Sequence, residues 1–79
     1  MRRDFFHEIV SLEPPAAAGD SEYGSRVMPV LELHKTLASY EARRGFQDAL
    51  EKMLTDDRES VRRFAVDICL GFFVFRNAI

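Results

Sequence analysis

The sequence predicts an all-α protein, a small bundle of three main helices plus a short N-terminal one. Three observations carry that prediction. Apolar residues recur at helical spacings of three, four and seven residues in four separate segments. Outside those segments, no stretch of five or more residues alternates apolar and polar with the period of a strand. Prolines, glycines and short polar clusters fall between the periodic segments and punctuate them.

The first segment is residues 4–12. Phe5, Ile9 and Leu12 share one helical face, with Phe6 and Val10 beside it. Asp4 suits the N-cap, Glu8 suits the positive end of the helix dipole, and Pro14 and Pro15 stop the helix. Residues 13–25 hold two prolines, two glycines and small polar residues, the composition of a loop. Tyr23 stands among them, either pinning the loop to the core or meeting a partner.

A second helix is expected over 28–42, with Pro29 in its first turn and Val30, Leu33, Leu37 and Tyr40 along one stripe. The next apolar set is Phe46, Ala49, Leu50, Met53 and Leu54, offset by roughly 130° at 100° per residue. One straight helix would carry two misaligned faces, so a break is expected near Arg43-Arg44-Gly45, with a third helix over 46–55. A polar turn, Thr55 to Ser60, precedes a last helix over about 59–75. Its stripe is Val61, Phe64, Ala65, Ile68, Phe72 and Phe75.

Composition sets the class. The 79 residues allow a single domain, which buries about 63% of its unfolded surface on folding. Hydrophobic residues make up 47% and charged residues 30%, a globular rather than a disordered balance. No apolar run approaches a membrane span. The net charge of −2 lacks the basic excess of a typical nucleic-acid binder. Cys69 is the only cysteine, so no disulfide can form within the chain, and the N-terminus lacks a signal-peptide pattern. A cytoplasmic protein is the expectation.

Residues 54–71 run Leu-Thr-Asp-Asp-Arg-Glu-Ser-Val-Arg-Arg-Phe-Ala-Val-Asp-Ile-Cys-Leu-Gly. Leu54, Asp56, Val61, Arg62, Ala65, Leu70 and Gly71 fall where a HEAT repeat has its closing Leu, turn Asp, Val-Arg, Ala and Leu-Gly. The stretch 46–73 therefore resembles one HEAT-like helical hairpin. The resemblance implies that Val61 enters the hairpin core, that Ala65 marks close helix approach and that Leu70 closes the far end. It also implies polar contacts between neighbouring repeats for Asp56 and Arg62, and the alternative for Arg62 is a solvated helix face. Repeat proteins stack several such units, and only one good unit is present here.

No catalytic or metal-ligating constellation is expected, and no cofactor. His7-Glu8 begins like a zinc-protease helix, but Ser11 stands where the second histidine is required. His34 is alone on its helix and reads as a boundary residue. Cys69, among apolar neighbours, reads as a buried thiol. Gly19 and Gly24 lack the lysine of a phosphate loop, and Asp56, Asp57 and Glu59 lack calcium-loop spacing.

The end of the chain is the most informative part. Leu70, Phe73 and Val74 lie off the last helix's stripe, so that helix is apolar on more than one side. Either the N-terminal helix covers the extra surface, or a second copy or partner does. The expected function is a small non-catalytic protein–protein interaction protein, in its sharpest form an immunity- or antitoxin-type inhibitor. Its acidic side chains would steer it to a basic partner. Candidate contacts are Tyr23, Glu41, Asp48, Glu51 and Asp67. The alternatives are a homo-oligomeric adaptor assembled through Leu70, Phe73 and Val74, and a nucleic-acid binder using Arg43, Arg44, Arg62 and Arg63.

Overall fold

The computed structural model describes residues 3–14 and 23–77, with side chains at 3–14 and 26–74. It holds four helices, α1 (Phe5–Val10), α2 (Tyr23–Lys35), α3 (Tyr40–Leu54) and α4 (Glu59–Asn77), and no strand among the described residues. The protein is a small all-α bundle. Helix α4 packs against α2 on one side and α3 on the other, and α1 packs against α3. The order across the molecule is thus α1, α3, α4, α2, and the Cα envelope is flat, 35 × 34 × 16 Å.

Asp4 caps α1, its carboxylate accepting from the His7 backbone N–H at 3.1 Å. Glu8 is gripped by Arg3, whose Nε and Nη2 donate at 2.7 and 2.9 Å. Phe5 and Ile9 are buried. Phe5 meets Phe46 edge to face, with centroids 6.1 Å apart. It also lies over Gly45, where an added Cβ would come within 3.2 Å of its ring.

That seat corrects the expected break at Arg43-Arg44-Gly45. Gly45 is inside α3, and the interruption falls at residues 36–39. The local chemistry explains the shift. Thr36 and Leu37 donate their N–H groups to Leu33 and His34 carbonyls, tightening the end of α2. Leu37 turns inward and is buried. Ser39 then caps α3, accepting from the Ala42 N–H at 3.1 Å, and Arg43 Nε reaches back to the Leu37 carbonyl at 3.0 Å. Tyr40, expected on the buried stripe, is the first residue of α3 and is 74% exposed.

Helix α2 starts at Tyr23, earlier than expected, so Pro29 lies inside it, on the exposed side. Val27, Val30 and Leu31 are its buried face. The α3–α4 turn is closed by Thr55, which donates to the Lys52 carbonyl through both N–H and hydroxyl. Core side chains from all four helices meet in one cluster, with Phe46, Phe64, Ile9, Met53 and Ile68 among the largest fully buried. Gly71 sets the α2–α4 approach, because an added Cβ there would come within 2.9 Å of Val27 Cγ2.

Candidate functional site

Helix α4 has two apolar faces. Val61, Phe64, Ala65, Ile68 and Gly71 are buried and point into the core. At 100° per residue, Val66, Leu70, Phe73 and Val74 cluster roughly 170° away from them. Their exposures are 45%, 50%, 71% and 49%. The expectation that the N-terminal helix covers part of this surface is corrected: α1 packs on Gly45 and Phe46 of α3, and these four side chains keep the exposures given. Leu70, placed by the HEAT-like pattern at the closing end of the hairpin, instead joins the exposed stripe. Cys69 is also exposed, not a buried thiol. Its position on α4 leaves it beside the stripe, and partial burial pushes its thiol pKa up.

The charged candidates divide. Glu41, Asp48 and Glu51 are exposed on α3. Arg43 and Arg44 stand among them, so this face holds three carboxylates and two guanidiniums rather than a purely acidic patch. A shallow groove beside it is lined by Tyr40, Arg44, Asp48, Arg3 and Phe5. Asp67 is different. Its Oδ2 lies 3.3 Å from Arg26 Nη1, and both side chains are largely shielded, so it ties α4 to α2 instead of facing solvent. The side chain of Tyr23 lies outside the described residues.

Asp56 and Arg62 act within their own turn. Asp56 Oδ1 accepts from the Arg58 N–H at 2.8 Å and from its Nε at 2.9 Å, and Oδ2 accepts from Nη2 at 3.2 Å. These bonds hold the Asp56 carboxyl down at about 2. Arg62 Nη1 donates to the Asp56 and Asp57 carbonyls at 2.6 and 2.9 Å. Val61 and Ala65 are buried. The four arginines do not gather. Arg43 and Arg44 sit toward the far end of α3 from this turn, about 10 Å along the hairpin from Arg62 and Arg63.

His34 is the one candidate that gained significance in three dimensions. It is half-buried between two rings, with centroids 4.9 Å from Phe46 and 4.8 Å from Phe72. Burial, and then the nearby Arg43 charge, push its pKa below the ordinary 6.5. It therefore joins α2, α3 and α4 through an aromatic cluster. Among the described residues, no group of three or more His, Cys, Asp or Glu could hold a metal ion. No helix of the described residues is long and apolar enough to cross a membrane. Compared with family models, curated proteins and solved structures, the chain matches none of them.

Proposed function

We propose that the chain is a small helical interaction protein without catalytic chemistry, and that the outer stripe of α4 is its docking surface. One observation carries the reading: four large apolar side chains stand exposed along the helix whose opposite face is the core. Fully burying such a side chain contributes roughly 1.5–3 kcal/mol. Covering the remaining exposed parts of these four would contribute about 4–6 kcal/mol, a large share of what association costs. Contiguous apolar surface of this kind marks contact sites on proteins.

An immunity- or antitoxin-type inhibitor is the sharper form of this reading. It would bind one protein in a fixed ratio, with Glu41, Asp48 and Glu51 steering the approach to a basic target. The guanidiniums among those carboxylates weaken such steering, so the apolar stripe is the better-supported contact. The test is copurification of the tagged chain from its own cells, comparing wild type with Leu70→Asp. A stoichiometric protein partner, another copy included, that is lost in the variant supports the reading. A partner set indifferent to Leu70→Asp overturns it.

A further inference from the structure

We propose that the outer stripe of α4 is covered by the same stripe of a second copy of this chain, the two helices running antiparallel about a two-fold axis near Leu70. This rests on the docking reading above and names the occupant of that surface.

Charge is the first argument. Between Val66 and Val74 the only charged residue is Asp67, and its carboxylate is engaged by Arg26 on the α2 side. The centre of the stripe thus offers nothing to a partner recognised by charge. An apolar, charge-depleted centre is the character of homodimer interfaces.

Direction follows from the ends. Arg63 stands exposed in the second turn of α4, at one end of the stripe. A parallel pair would set Arg63 beside its own copy. An antiparallel pair about Leu70 sets the two Arg63 residues roughly 20 Å apart along the helices.

Area is the third argument. At the observed exposures the four side chains leave on the order of 400 Å² of apolar surface open. Against a polar surface that area is buried once. Against itself it is buried twice, about 800 Å², and the flanking Arg63 and Cys69 surfaces carry the total toward the roughly 1,200 Å² of a small specific interface. Shape agrees. The molecule is only 16 Å thick across its Cα atoms, and stacking two copies through α4 supplies the second layer that helical domains ordinarily have.

Sedimentation or light scattering across micromolar to millimolar concentration tests this. The expected result is a monomer–dimer equilibrium for wild type, weakened at least tenfold by Leu70→Asp and unmoved by Tyr40→Asp on the exposed start of α3. Circular dichroism must show both variants still helical. A short bismaleimide gives an independent reading on the unaltered chain. Cys69 is the only cysteine, so any thiol cross-link joins two copies, and the antiparallel register brings the two Cys69 residues close to the axis. A monomer at every concentration overturns the proposal, as does a dimer that ignores Leu70→Asp or that fails to cross-link.

The dye ANS separates this failure from failure of the docking reading. If the chain is monomeric and binds ANS, and Leu70→Asp lowers the signal, the second copy is excluded and the docking surface stands. If the monomer binds no ANS through the stripe, both readings fall.

Discussion

Gly71 holds α2 and α4 at their separation, and the space above it is already filled by Val27. Gly71→Ala is expected to destabilise the fold by about 1–3 kcal/mol, the cost of overpacking a tight core contact. In a urea titration, pairing it with Val27→Ala should recover part of that loss. Non-additivity would identify the Val27 contact as the cause, whereas simple addition would contradict it. His34 gives a pH signature. Its folded pKa lies below 6.5, so above 6.5 both folded and unfolded chains hold it neutral. As pH falls below 6.5 the unfolded chain takes up a proton that the folded chain refuses, and stability declines until the folded pKa is passed. His34→Gln should flatten that slope. Asp56 acts lower: its contribution is complete above the ordinary 3.8 and is lost as pH falls through about 2. Of these residues, Gly71 was visible in the sequence only as part of a HEAT-like pattern, and His34 only as a lone histidine. Both owe their roles to neighbours more than thirty residues away, Val27 for Gly71 and Phe72 for His34. Helical periodicity carries no record of such neighbours.

At the scale of elements, the ends of the helices are where chemistry and periodicity competed. The apolar stripe through Val30, Leu33 and Leu37 continues in phase to Tyr40, so periodicity extended the second helix too far. Ser39, a good N-cap, and the turn that buries Leu37 ended it earlier. Ser39→Ala should therefore cost about 1 kcal/mol, read from the shift in urea midpoint at unchanged slope. Pro29 is the opposite case. It stands on the exposed side of α2, well past the first turn, where a proline removes a backbone hydrogen bond. Pro29→Ala should raise the stability of the fold by about 1–3 kcal/mol. A loss of stability would show that the ring itself packs. The α3–α4 turn was legible because its residues act on near neighbours: Thr55, Asp56, Arg58 and Arg62 all bond within six positions of themselves.

For the molecule as a whole, the arrangement α1, α3, α4, α2 leaves α4 central yet covered on one face only. Leu70→Asp should accordingly leave monomer stability within about 0.5 kcal/mol of wild type, as expected of an exposed position, while changing what the protein binds. A large loss in the urea titration would place Leu70 in the core instead. The sequence by itself determined the all-α class, the four helices, the core face of α4 and the surplus of apolar residues at its end. Each of these follows from local spacing and from turn and capping residues that act within a few positions. Only the tertiary structure decided where that surplus would lie. It seated the N-terminal phenylalanine on Gly45 of α3, joined Asp67 to Arg26, and left Val66, Leu70, Phe73 and Val74 exposed. The physical reason is that an amphipathic helix specifies which of its faces must be buried but not against what. That choice depends on the fit of side chains from distant segments, which no single helix encodes.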